Sequence, residues 1–447
     1  MCIPVTQNRW DDSLALIKAH HWNAAVYLGT SLLAKAASTV LLIPLYTSRL
    51  TRAEYGAFGL CATLYSIAPP VLSLAMTAAF ARFYFDDINV QRRNALLGHI
   101  GRRIVAISVG CALVLELLLD LLPHAHLGDL APRHLRLALW TAACTPLSDL
   151  GALFWRQEQR ALRFATLNLT QFVASTATTA YLLVVAHWGL MAPLTGVLAG
   201  QATGAAYGVF LLATRLKVRG YACAPGLLAR AARYSTPLVP HVIGNALLVG
   251  ADRWALEYYG LKEELGLYTL AAQLTLPIIL VQSAWNEAAA PPFMVAWRDH
   301  GVAEARRQLP RIIAGFLLAC GSAFVALVLA LPLLRHFVNV RFQAAFPLVP
   351  FIGLGLVVGS VFSAFVFTLE YRKQTALIPI LTLGSVGLNI ALNFVLVPRF
   401  GVYGAIAGTG IAYSARAIVF ALAAARSLRS DPLVAWQPPA RNVVPSA

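Results

Sequence analysis

Apolar runs of about 20 residues recur from one end of the chain to the other, and nothing else in the sequence restricts the fold as much. A helix rising about 1.5 Å per residue needs about 20 apolar residues to cross the hydrocarbon core of a bilayer. Windows of that kind fall at 24–48, 56–80, 104–123, 137–155, 164–188, 191–214, 237–259, 266–291, 311–333, 347–370, 375–397 and 403–425. In lipid every backbone N–H and C=O must find its partner inside the protein, so such runs are expected as helices. The chain is therefore read as an all-α polytopic membrane protein with about 12 transmembrane helices. Only 12% of its 447 residues are charged, against roughly 25% for a soluble domain. No short apolar core with a small-residue cleavage site precedes the first window, so that span is expected to be retained. The six cysteines lack metal-ligand or CxxC spacing and read as small apolar side chains.

Basic residues orient the helices. With both termini on one side, the loops and tails of that side hold 24 of the 35 Lys and Arg residues, and the opposite loops hold 8. The positive-inside rule then makes both termini cytoplasmic. The net charge of +16 is largely this asymmetry, with attraction to anionic lipid headgroups; nucleic acid is not an expected partner.

The remaining three basic residues, Lys35, Arg253 and Arg416, lie inside windows. An ionised side chain near the bilayer centre costs about 2.5–3.5 kcal/mol even on lenient scales, so it needs a partner or a water-filled cavity. Lys35 and Arg416 sit about 16–20 Å from the nearer window start, too deep to snorkel easily, and are expected to face a cavity. Arg253 adjoins Asp252 and precedes Glu257 by one helical turn, so an ion pair and a cavity cation are both open for it. Asp252, Glu257 and Glu287 are candidate proton or sodium sites, although Glu287, near a window's basic end, reads equally well as interfacial. His241 shares a helical stripe with Asn245 and Asp252 and is either a structural histidine or a proton-linked one. Amides recur at helical spacing, as in Gln282 with Asn286 and Asn389 with Asn393. One such amide is explained by an interhelical hydrogen bond, whereas polar faces on many helices fit a hydrated central cavity. Lys35, Arg253, Arg416, Asn245, Gln282, Asn286 and Asn393 are accordingly the candidate substrate-binding residues. No catalytic residue, metal site or organic cofactor is indicated.

An internal repeat supplies the architecture. An offset of 210 places Glu54 on Glu264, Gly56 on Gly266 and Leu60 on Leu270, and an offset of 212 places Gly189 on Gly401. Two six-helix lobes of the same orientation follow, packed around a central cavity. The expected boundaries are a cytoplasmic segment 1–23, lobes 24–214 and 237–425, a basic cytoplasmic linker 215–236 and a disordered cytoplasmic tail 426–447.

Three stretches carry a resemblance: IPLYTSRLTRAEYGAFGL at 43–60, ADRWALEYYGLKEELGLYTLAAQL at 251–274 and LNFVLVPRFGVYGAIAGTGIAY at 392–413. Their order and placement resemble the Wzx-type polysaccharide (O-antigen) flippases of the multidrug/oligosaccharidyl-lipid/polysaccharide exporter superfamily. That resemblance implies a MATE-like pair of lobes in a bacterial inner membrane. It also implies flipping of undecaprenyl-diphosphate-linked oligosaccharide to the periplasmic leaflet, in concert with a polysaccharide polymerase and a chain-length regulator. The chemistry suits such a cargo, because fixed cations offset the cost of moving a diphosphate through a low-dielectric region. A multidrug or cation antiporter of the same superfamily is the rival reading, opposed by the cation Lys35 in the first span. A membrane glycan polymerase would need paired acids and a larger external platform than the loop around 124–136 offers.

Overall fold

The computed structural model describes residues 29, 41–84, 89–119, 121, 130–216, 226–372, 374 and 376–429. Among these the chain is helical, without strands. The helices are α1 (41–49), α2 (Arg52–Leu72), α3 (Met76–Phe83), α4 (Val90–Leu119), α5 (Pro132–Gln157), α6 (Ala161–Val184) and α7 (Met191–Thr214). A second series follows: α8 (Leu227–Ser235), α9 (Leu238–Tyr258), α10 (Lys262–Leu274), α11 (Leu276–Leu334), α12 (Leu348–Ser360), α13 (Phe362–Tyr371) and α14 (Leu377–Arg429). Helix falls in all of the predicted windows, the first being described only at residue 29 and from residue 41. Six stretches, among them α2, α5, α7 and α14, are long and apolar enough by themselves to cross a membrane. The chain is a multi-pass membrane protein.

Local chemistry explains where the helices start and turn. Thr51 and Glu54 form a capping box at the start of α2: the Thr51 hydroxyl accepts from Glu54 N, and Glu54 Oε2 accepts from Thr51 N at 2.8 Å. Pro132 opens α5 at the first helical position, where its missing N–H costs nothing. The two longest helices, α11 and α14, are each two spans joined at a glycine, Gly301 (φ 75°) and Gly401 (φ 55°). These are backbone conformations that side chains with a Cβ rarely adopt. The prolines of α11 and α14, Pro310 and Pro398 among them, stay within helix, so the sharp turns fall on glycine instead. Two further details depart from the expected boundaries. The linker 215–236 contains α8, and α14 continues to Arg429, so residues 426–429 are helical rather than tail. Residues 1–23 and 430–447 lie outside the described residues.

The halves meet at one end. A large apolar core at the arginine-poor end mixes Leu42, Tyr55, Leu60 and Leu190 of the first half with Leu256, Leu270, Phe342 and Val397 of the second. At the arginine-rich end the cores are separate. One is built on Phe80, Ile100, Phe154 and Leu212, and the other on Phe293, Trp297, Phe316 and Phe367. Among the described residues the two halves thus share one apolar core at the arginine-poor end and pack around separate cores at the other.

Each half closes its last two spans in the same way. A Cβ on Gly189 would lie 2.9 Å from Glu54 Oε1, and one on Gly401 would lie 2.5 Å from Glu264 Oε2. Glu264 Oε2 also accepts from Val402 N at 2.6 Å. The residues paired by the sequence repeat, Glu54 with Glu264 and Gly189 with Gly401, thus make equivalent contacts.

Candidate functional site

Asp252 is fully buried in α9, six residues and about 9 Å of helix from that helix's arginine-poor end. A carboxylate there survives only if its lone pairs are used. Tyr268 of α10 donates its hydroxyl to Oδ2. Thr409 Oγ1 lies 2.6 Å from both carboxylate oxygens. Asn393 Nδ2 donates to Oδ1 at 2.9 Å, and Asn389 Nδ2 does so at 3.4 Å. Asn389 and Asn393 stand one turn apart on the first arm of α14, whereas Thr409 is on the second arm, beyond the break at Gly401. The sharp turn is therefore what brings the two faces onto one acid. Asn393 Oδ1 is buried without a hydrogen-bond partner, leaving an oxygen beside a group already rich in oxygens.

The neighbouring Arg253 points the other way, out of the cluster and across to the first half. Its Nη1 donates to Thr63 Oγ1 of α2 at 3.4 Å, and its guanidinium lies 5.9 Å from the Tyr268 ring centroid. With Tyr268, Thr275, Thr409 and Tyr413 it lines a small cavity of about 80 Å³. Arg416 is only 6% exposed. Its Nη2 donates to Asn245 Oδ1 at 2.9 Å, and its guanidinium stacks 3.5 Å from the centroid of Phe362. Among the described residues neither arginine has a carboxylate within ion-pair distance. The Arg253 to Glu257 pair that the spacing allowed is not formed.

The other expected site residues are dispersed. Gln282 Nε2 donates to Ser363 Oγ at 3.4 Å. Asn286 and Glu257 are half-buried, and Glu287 is exposed. Asn393, expected toward substrate, is 1% exposed and serves Asp252. Lys35 and the side chain of His241 lie outside the described residues. Tyr268, Thr63 and Phe362 were not singled out from sequence. Tyr268 lies two residues after Gly266, and the offset of 210 pairs it with Phe58, so the repeat marked the position as aromatic and gave no sign of its hydroxyl.

The arginine-poor end is sealed by direct contacts between halves. Arg52 Nε donates to the carbonyl of Arg341 at 2.5 Å, and its Nη1 lies 3.7 Å from Glu263 Oε2. Asn339 N donates to Thr47 Oγ1 at 3.3 Å, and the Tyr55 hydroxyl donates to Gln273 Oε1. The backbones of α2 and α10 approach so closely that a Cβ on Gly266 would lie 2.0 Å from the Arg52 carbonyl oxygen.

Two helical bundles that share a core at one end and pack around separate cores at the other have the fold of the MATE-like membrane transporters. An inward-facing multidrug-resistance MATE transporter of the MOP superfamily superposes with TM-score 0.72 at 14% identity, covering 91% of this chain and 98% of that one. An outward-facing MATE transporter gives TM-score 0.55 at 14% identity, with 93% and 92% covered. The lipid II flippase MurJ in an inward closed conformation gives 0.64 at 14% identity, with 93% and 89% covered. At such identities the likeness is one of fold. No curated protein matches the sequence. The polysaccharide biosynthesis protein family matches residues 22–296, more than half of the chain, and the protein belongs to that family.

Proposed function

We propose that the protein is a flippase that carries undecaprenyl-diphosphate-linked oligosaccharide across a bacterial inner membrane for cell-surface polysaccharide synthesis. In this reading the arginine-rich end, with both termini, is the cytoplasmic side, and cargo enters between the separately packed ends of the halves from the cytoplasmic leaflet. Family membership supports the pathway, and the fold shared with transporters and a lipid flippase supports the activity. The observation that carries the reading is the pair Arg253 and Arg416, two cations inside spans that are held by neutral groups and have no carboxylate within ion-pair distance among the described residues. A guanidinium held by neutral groups alone keeps a positive potential, which a diphosphate neutralises through charge-assisted hydrogen bonds. A cationic drug would meet the wrong sign there. Lys35 is assigned to the same cationic path, and the amides Asn245, Gln282 and Asn286 to sugar hydroxyls. A polysaccharide polymerase and a chain-length regulator act on the delivered units.

The Asp252 cluster is the coupling site in this reading. The carboxylate, the amide oxygens of Asn389 and Asn393 and the Thr409 hydroxyl form an oxygen set suited to sodium, and the carboxylate alone suits a proton. Cation binding there would replace the hydrogen bonds that already join α9 to both arms of α14, and so bias how the arms pack on α9.

The test is transport in proteoliposomes, with an undecaprenyl-diphosphate oligosaccharide and a cationic dye offered separately. Wild type is expected to move the lipid-linked sugar, and Arg253→Gln with Arg416→Gln to slow it by about tenfold or more, as loss of charge-assisted contacts implies. Movement of the dye alone would replace the flippase by an antiporter.

A further inference from the structure

Away from the seam between the halves, the arginine-rich ends of α5, α6 and α7 line a cleft of about 770 Å³, within the range of small-molecule sites. It opens on the outer surface, where Phe210 of its lining is 59% exposed. Arg163 and Arg215 both line it. Among the described residues neither has an acidic partner. Arg163 is held in place: its guanidinium lies 4.5 Å from the ring centroid of Trp155, whose Nε1 donates to the Tyr207 hydroxyl at 2.9 Å. The wall between them carries hydroxyls. Thr166, Thr170, Thr203 and Thr214 each donate to a carbonyl of their own helix, which leaves their oxygens free to accept.

We infer that this cleft is a binding site for the headgroup of an anionic bilayer phospholipid. The phosphate sits between Arg163 and Arg215, a headgroup hydroxyl donates to the threonine oxygens, and one acyl chain follows Phe210 and Leu167 into the bilayer. The chemistry leads to that ligand by exclusion. Two cations without acidic partners among the described residues select an anion, acceptor-only threonines select a headgroup that carries donors, and the exposed Phe210 selects a ligand with an apolar tail. A soluble phosphate would satisfy only the first of these. The site is separate from the seam that holds Arg253 and from the Asp252 cluster, so it recruits an annular lipid rather than the cargo.

Native mass spectrometry of the full-length protein in detergent tests this directly. The probes are phosphatidylglycerol, phosphatidylcholine and inorganic phosphate, each titrated alone. Phosphatidylglycerol is expected to bind well above the other two. Its affinity is expected to fall about 30-fold in Arg163→Gln/Arg215→Gln, each arginine near the membrane surface contributing roughly fivefold. Ala206→Trp, which fills the cleft and keeps both charges, is expected to abolish the bound lipid while the protein stays monodisperse. The inference is overturned if the phospholipid is retained equally by wild type and both variants. Equal binding of phosphatidylcholine removes the anion specificity and overturns it too, and equal binding of inorganic phosphate reduces the cleft to a simple anion site.

Discussion

Glu54 lies against Gly189 in the first half of the chain, and Glu264 lies against Gly401 in the second, at the same place in each bundle. The offset of 210 that pairs those glutamates also pairs Leu42 with Asp252. Leu42 is packed into the apolar core shared by the halves, whereas Asp252 gathers Tyr268, Thr409, Asn393 and Asn389 around it. The hinge is common because both halves must reverse direction between their last two spans. The interior differs because a buried charge is tolerated only where neighbouring helices supply donors, and among the described residues those donors surround only the second of the two positions. A repeated fold can thus hold a polar cluster at one position and an apolar side chain at the position that the repeat pairs with it.

Exchanging the unlike residues gives the largest expected effect. Leu42→Asp places a carboxylate among apolar side chains and is expected to cost about 3 kcal/mol or more, read as loss of monodisperse protein after extraction and of its thermal transition. A well-folded Leu42→Asp protein would mean that the first half hides donors of its own. Asp252→Leu makes the halves alike and leaves donors of Tyr268, Thr409 and Asn393 unpaired, for a loss of about 3 kcal/mol in the same measurement. Asp252→Asn keeps a hydrogen-bonding group, so it should fold nearly as well and yet lose any dependence of transport on sodium or pH.

Substitutions at the common hinge sharpen the comparison on a smaller scale. Gly189→Ala and Gly401→Ala both force a Cβ into left-handed backbone, at about 1–2 kcal/mol each. Gly401→Ala should lose more, since Glu264 stands 2.5 Å from the new atom and Glu54 stands 2.9 Å away. Equal shifts in thermal unfolding would show that the two hinges relax alike. The smallest effect is expected at the seam. Arg52→Ala removes an ion pair whose side chains are 34% and 64% exposed, worth about 0.2–1 kcal/mol. Its larger consequence should be faster labelling of an engineered cysteine behind Tyr55.

Much of this was legible in the residues alone. The window 191–214 coincides with α7, and 237–259 misses α9 by one residue at each end. Such agreement is expected, because the bilayer sets both the length and the apolarity of a span. The repeat was legible because equal tasks at the two hinges go with nearly equal spacing of glutamate and glycine, 135 and 137 residues. The site was legible only in part. The stripe of Asn389 and Asn393 and the polarity of Thr409 were visible, yet their common target, Asp252, lies 137 and 141 residues away from the asparagines along the chain. Arg416 read as a cavity cation by depth, and the structure places it between Phe362 and Asn245. Depth is a property of one helix, whereas exposure depends on which helix faces it.

By itself, then, the sequence determined the class, the spans, their orientation signal and the twofold repeat, since each follows from the solvent that surrounds one helix at a time. The tertiary structure alone decided that Asp252 is held by Tyr268 and both arms of α14, that Arg253 turns to Thr63, and that the halves share a core at one end only. Those outcomes depend on how helices distant in sequence pack side by side. Hydropathy and helical period carry no record of it, because lipid rewards an apolar face equally whichever neighbour covers it.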